Sequence, residues 1–287
     1  MTDTDQRTGR RHVRLPDGSS VAALGQGTWN MGDAPARRTQ EIDALRLGIE
    51  LGLGLIDTAE MYGDGASERL VGEAIADVRD QVFLVSKVLP SNATRTGVPA
   101  ACKRSLERLG VDRLDLYLLH WRGGTPLAET IAALEALRTE GLVRNWGVSN
   151  FDVDDMCEFV GLARPGSCAV NQVLYNLEYR GIEHDLMEYS VTHGVPLMAY
   201  SPVGQGGDLL QSPALRAVAD RHGASPAQVA IAWTLRAPNV ISIPKAATVA
   251  HVRENAAAAS LVLTAQDLAE LDRSFPPPKK KIRLAML

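Results

Sequence analysis

The chain has 287 residues, 45% of them hydrophobic and 22% charged, with 15 prolines spread along its length, a composition that excludes disorder and fibrous repeats. Thirty basic residues against 34 acidic ones give a net charge of −4. Neither sign is clustered into a footprint for nucleic acid or an anionic membrane, so neither partner is expected.

The three cysteines, Cys102, Cys157 and Cys168, contain no CxxC pair and fit a reducing compartment. No stretch of 18 apolar residues occurs, and Arg10-Arg11 leads into the turn Leu15-Pro16-Asp17-Gly18 where an export signal would need an apolar core. A cytoplasmic chain without a metal site is expected. The length fits two domains of ~150 residues or one α/β barrel of about 250.

Residues 1–10, MTDTDQRTGR, are polar without a period and are expected to form a flexible tail. Two short apolar runs, 13–15 and 21–24, flank the Pro16-Asp17-Gly18 turn and predict a β-hairpin. From there one theme repeats. Apolar runs at 24–28, 53–57, 82–87, 114–120, 143–150, 169–172, 195–201 and 240–245 alternate with helix-period segments such as 39–51, 67–78, 98–109 and 126–140. Successive run ends lie close to the roughly 30 residues of a βαβ unit. The last interval is longer and leaves room for an extra loop and helix.

Alternating strands and helices imply a parallel sheet buried on both faces, and eight strands are the number that closes a (β/α)8 TIM barrel. No linker interrupts the series, so the chain reads as a single barrel domain over 1–287, with an N-terminal hairpin and a short C-terminal tail. An open doubly wound sheet would normally carry a glycine fingerprint behind its first strand. Here Leu24-Gly25-Gln26-Gly27-Thr28 leads into Trp29-Asn30, without a third glycine at the required spacing or a helix directly behind.

In such a barrel the C-terminal strand ends share one mouth. The residues there are Asp57, Lys87, His120, Ser149 with Asn150, Asn171 with Gln172, Tyr200 with Ser201, and Lys245. Taken singly, Asp57 reads as a helix N-cap, Lys87 as a snorkelling strand end and His120 as a hydrogen-bonded core histidine. Together the three ionisable groups converge where burial costs several kcal/mol unless they serve each other. Tyr62 lies five residues beyond Asp57, close enough to fold over the same mouth. Beside a desolvated Lys87 ammonium its pKa is expected to fall from ~10 toward neutrality, which makes the hydroxyl a competent acid.

These residues sit in a series of motifs: Gly54-Leu55-Ile56-Asp57-Thr58-Ala59-Glu60-Met61-Tyr62-Gly63, Glu68, Val71-Gly72-Glu73-Ala74-Ile75, Ser86-Lys87-Val88 and Leu118-Leu119-His120-Trp121. The series continues through Gly147-Val148-Ser149-Asn150-Phe151, Asn171-Gln172, Ala199-Tyr200-Ser201-Pro202 and Ile243-Pro244-Lys245. In order and over almost the whole chain, it resembles the aldo-keto reductases.

The resemblance implies a catalytic tetrad of Asp57, Tyr62, Lys87 and His120, with Tyr62 as proton donor to a substrate carbonyl. It also implies hydride transfer from NADPH (or to NADP+), with NADH as a second choice. By the same resemblance Ser149, Asn150 and Gln172 hold the nicotinamide carboxamide, Tyr200 stacks on its ring, and Ser201 contacts the pyrophosphate. Amide groups suit a carboxamide and an aromatic face suits a flat ring.

The phosphate end departs from the family pattern. Lys245 stands at the adenosine 2′-phosphate position, but Ala246 replaces the serine often beside it and His251 replaces the arginine six residues on. Glu254 and Asn255 fall where the family contacts adenine. Trp29 and Trp121 are expected to wall the substrate site, and the short segment 275–287 leaves a small, fairly open pocket. The implied function is NADPH-dependent reduction of small aldehydes and ketones, including α-oxoaldehydes such as methylglyoxal, by a monomer acting on small-molecule carbonyl substrates. Two other readings are a Schiff-base aldolase using Lys87, against which the adjacent Asp57 would keep the lysine protonated, and a cofactor-binding regulatory subunit with little turnover.

Overall fold

The computed structural model describes residues 2–5 and 10–287, with side chains from residue 11 onward. The polar start of the chain departs from expectation in its described part. Strand β1 (Thr2–Asp5) pairs antiparallel with β2 (Arg10–Arg14), which pairs in turn with β3 (Ser20–Ala22). Pairing supplies the backbone partners that a free tail would leave to water. Residues 1 and 6–9 of the expected tail lie outside the described residues. The predicted hairpin is present as β2 and β3, turned by Gly18 in the left-handed region (φ 84°) and by Asp17 Oδ1 accepting from the Ser19 amide at 2.9 Å.

Eight parallel strands follow, each paired to the next: β4 (Gln26–Gly27), β5 (Leu55–Asp57), β6 (Phe83–Val88), β7 (Leu114–Leu119), β8 (Val143–Ser149), β9 (Cys168–Leu174), β10 (Leu197–Tyr200) and β11 (Val240–Ile243). The series curls until its ends meet. Parallel bridges Leu24–Ser242 and Gly27–Lys245 join the last strand to the first, and the Gly25 amide donates to the Ser242 carbonyl at 2.9 Å. Glycine is required at the seam, since a Cβ on Gly27 would come within 2.8 Å of the Ile243 carbonyl oxygen.

Helices α1 (Arg38–Glu50), α2 (Ala66–Ile75), α3 (Gly97–Leu109), α4 (Leu127–Thr139), α5 (Val153–Leu162) and α6 (Leu186–His193) fill the first six crossovers. The long interval between β10 and β11 holds two helices, α7 (Pro213–His222) and α8 (Pro226–Leu235); α9 (Val249–Ala258) and α10 (Ala265–Ser274) complete the chain. This is the (β/α)8 barrel that the alternation predicts.

Apolar side chains form two cores, as the period of two along each strand dictates. In β7, Tyr117 and Leu119 pack outward against the helices, whereas Leu116 and Leu118 join Val85, Val170, Met198 and Ile241 in the barrel interior. Val13, Leu15 and Val21 of the hairpin belong to that interior cluster and plug its N-terminal end. The opposite end is left for chemistry. Among the described residues no helix is long and apolar enough to cross a membrane.

Candidate active site

The C-terminal strand ends open on one cavity of about 1000 Å³. Asp57 ends β5, Lys87 is the penultimate residue of β6, His120 follows β7, and Tyr62 comes from the turn behind β5. The expected four converge. Lys87 Nζ donates to Asp57 Oδ2 at 2.7 Å, to the Thr58 carbonyl at 2.8 Å and to the Tyr62 hydroxyl at 3.1 Å. Lys87 is fully buried and Asp57 almost so, yet each charge is paired and the ammonium has all three donors used, which is the condition for tolerating buried charge.

The electrostatics differ from the sequence expectation in one respect. Burial is the largest influence on Tyr62 and pushes its pKa up; Lys87 pulls it down, Asp57 pushes it up again, and the net shift is upward. The expected fall toward neutrality omitted both the depth of the phenol and the carboxylate behind the lysine. Burial also works against the charge on Lys87, but Asp57 and Tyr62 together outweigh it and its pKa is raised. The site therefore holds a protonated phenol against a charged ammonium at neutral pH.

His120 packs edge-on to Tyr62 with ring centroids 5.9 Å apart. Burial first, and the Lys87 charge second, push its pKa down to about 3, so the imidazole is neutral. Its Nδ1 is buried with no hydrogen-bond partner among the described residues. A bare lone pair there costs less than an unmade N–H bond, which puts the ring proton on Nε2.

A second group of polar side chains lies beside the first. Ser149 Oγ donates to the Gln172 carbonyl at 2.9 Å, Asn150 Nδ2 to the His120 carbonyl at 3.1 Å, and the Tyr200 hydroxyl to Asn150 Oδ1 at 3.0 Å. Gln172 Nε2 donates to Asp57 Oδ1 at 2.7 Å. Asn150 and Ser201 hold left-handed backbone (φ 60° and 50°) at their strand ends, a strained conformation of the kind that concentrates at functional sites. The Ser201 carbonyl is fixed by Asn176 Nδ2 at 2.8 Å, a support that the sequence reading missed.

Toward the far end the same cavity is lined by Lys245, His251, Glu254 and Asn255, and at the near end by Trp29 and Trp121. Every expected site residue except Lys87, which lies buried behind Tyr62, and Asn171, whose amide is bonded to the Phe151 backbone, thus faces one space. Arg37, Gln40 and Thr248 line it too, as do Met286 and Leu287. The end of the chain, through Met286 and Leu287, is therefore part of the wall. The cavity's polar groups fit a dinucleotide: amides and hydroxyls that suit a carboxamide, an aromatic face for a ring, and cationic side chains at the distant end for phosphate.

Comparison with known proteins agrees with this geometry. Residues 23–275 match the model of the aldo/keto reductase family. The chain belongs to that family. Among its aldo/keto reductase relatives, methylglyoxal reductase YeaE of Escherichia coli is 50% identical over 282 residues, covering 97% of this chain and 99% of that protein. An aldo/keto reductase of Klebsiella pneumoniae, crystallised with NADP and acetate, is 49% identical with a TM-score of 0.93 and covers 96% of this chain and 99% of that one. The same organism's aldo-keto reductase in complex with NADPH superposes with a TM-score of 0.94 at 49% identity, covering 97% and 99% of the two chains.

Proposed function

We propose that this aldo/keto reductase uses NADPH to reduce small aldehydes and ketones to alcohols, α-oxoaldehydes such as methylglyoxal among them. The observation that carries the reading is the chain Asp57–Lys87–Tyr62, buried at its first two members and with contacts of 2.7 and 3.1 Å, opening on a cavity whose other groups suit a nicotinamide dinucleotide. The relative named for methylglyoxal reduction and the neighbours crystallised with NADP or NADPH support it.

When bound, NADPH supplies the hydride for the carbonyl carbon. Tyr62 hydrogen-bonds the carbonyl oxygen and gives it the proton, so the alcohol forms and a phenolate remains. Lys87 stabilises that phenolate from 3.1 Å, and Asp57 keeps Lys87 charged. His120, neutral, offers Nε2–H as a second donor that orients the carbonyl. Trp29 and Trp121 wall the space around it.

Ser149, Asn150 and Gln172 hold the carboxamide; with its Nε2 on Asp57, Gln172 has Oε1 left for the carboxamide N–H. Tyr200 flanks the nicotinamide ring, Ser201 the pyrophosphate, Lys245 and His251 the 2′-phosphate, and Glu254 with Asn255 the adenine. Schiff-base chemistry is disfavoured because Asp57 and Tyr62 keep Lys87 protonated and therefore a poor nucleophile.

The test is NADPH consumption by the purified protein over a panel of small carbonyls, together with NADPH binding by fluorescence. Tight binding with turnover of methylglyoxal supports the reading; tight binding without turnover of any carbonyl favours a cofactor-binding subunit instead.

A further inference from the structure

The phosphate end of the cavity has an arginine that the family pattern does not account for. Arg37 stands immediately before α1, and its side chain is half exposed along the cavity that Lys245, Thr248 and His251 also line. The two sides of this end are tied together. Gln40, one turn further along α1, donates from Nε2 to the Ala247 carbonyl at 2.7 Å, joining the start of α1 to the loop between Lys245 and α9.

The guanidinium has one neighbouring carboxylate. Its Nε faces Glu41 Oε1 at 3.8 Å, a loose contact with a fully buried carboxylate whose other oxygen accepts from the Gly32 amide at 2.8 Å. At 3.8 Å this is an ion-pair approach and not a hydrogen bond, so the Nη1 and Nη2 edge of Arg37 is left for a second anion, and that paired edge matches a phosphate. The other arginine on the cavity wall, Arg216 of α7, has Nη2 engaged by Gln211 just before that helix.

We propose that Arg37, beside Glu41, contacts the adenosine 2′-phosphate of NADPH from the α1 side and stands in for the cation missing at position 251. Position 251 carries histidine, so Lys245 would otherwise be the one permanent positive charge that the family pattern supplies there. This inference rests on the reading of the cavity as a dinucleotide site, and it makes cofactor choice a property of α1 as well as of α9.

Titrating the wild type, Arg37→Ala, Arg37→Lys and Arg38→Ala with NADPH and with NADH, by cofactor fluorescence and without substrate, tests it. The two cofactors differ only in the 2′-phosphate. Arg37→Ala is expected to raise the Kd for NADPH about 10-fold or more, the range for one charge-assisted contact, with the Kd for NADH unchanged, which also reports an intact site. Arg37→Lys should fall between. Arg38, one residue on, carries the same charge but pairs with Glu73 and does not line the cavity, so Arg38→Ala should leave both constants unaltered. Equal weakening of both cofactors by Arg37→Ala, an unchanged NADPH constant, or an equal effect of Arg38→Ala would each overturn the assignment while leaving the proposed function standing. Failure of the wild type to bind NADPH would overturn both.

Discussion

Gln172 crosses the barrel mouth to donate from Nε2 to Asp57 Oδ1 at 2.7 Å, while its own carbonyl accepts from Ser149 Oγ at 2.9 Å and from the Asn150 amide at 2.7 Å. One residue thereby couples the Asp57–Lys87–Tyr62 chain to the pair proposed to hold the nicotinamide. The bond is buried at both ends, and hydrogen bonds to buried charge are costly to lose.

Gln172→Met is accordingly expected to destabilise the protein by about 1–3 kcal/mol, because a buried carboxylate loses a donor. Gln172→Glu, closer in shape, is expected to be worse at neutral pH, since it sets a second carboxylate against Asp57. Urea unfolding of the three proteins gives the order; a Glu variant more stable than the Met variant would show that this contact does not support Asp57.

Lys87 acts on Tyr62 through charge. With the pKa of Tyr62 raised by burial, the protonated donor persists above the usual tyrosine value, so the rate of reduction should stay level from roughly pH 6 to 9 and fall only above about 10. Lys87→Met removes the group that pulls this pKa down. The rate should drop ~100-fold and the alkaline limb move to still higher pH. A pH–rate profile with a limb that does not move would assign Lys87 another role.

His120 links the site to stability. Its pKa is lowered to about 3 in the folded protein, against ~6.5 unfolded. Below 6.5 the unfolded chain takes up a proton that the folded one refuses, so the stability from the neutral ring is complete above that value and is lost as pH falls toward 3. Relative to His120→Gln, the wild type should lose about 2–3 kcal/mol between pH 7.5 and 4.5. Parallel unfolding curves at both pH values would contradict the burial of a neutral imidazole.

The convergence of Asp57, Lys87 and His120 was legible because each interrupts an apolar run at a strand end, and parallel strands send those ends to one mouth. Asp57 and His120 lie at or just past the ends expected for them. Gln172 was legible as a site residue but not as a strand interior: β9 runs on to Leu174, pairing Val173 and Leu174 with Ala199 and Tyr200. The upward shift of Tyr62 depends on its depth, which spacing does not encode. Arg37 and Gln40 were hidden for another reason. They reach the site through a contact between α1 and a loop 207 residues away, and nothing local marks a solvent-facing helix start as the wall of a distant cavity. Met286 and Leu287 join the wall in the same way, from a tail whose composition suggested only a short ending.

The measurement that bears most directly on the whole account compares the wild type with Tyr62→Phe, using NADPH and methylglyoxal. Removal of one hydroxyl 3.1 Å from Lys87 Nζ should leave the Kd for NADPH unchanged and lower kcat by ~10²-fold or more, the loss appropriate to a positioned general acid. A Tyr62→Phe enzyme that binds NADPH normally and keeps near-normal kcat would contradict the assignment of Tyr62 as the proton donor, and with it the role given to Lys87 and Asp57.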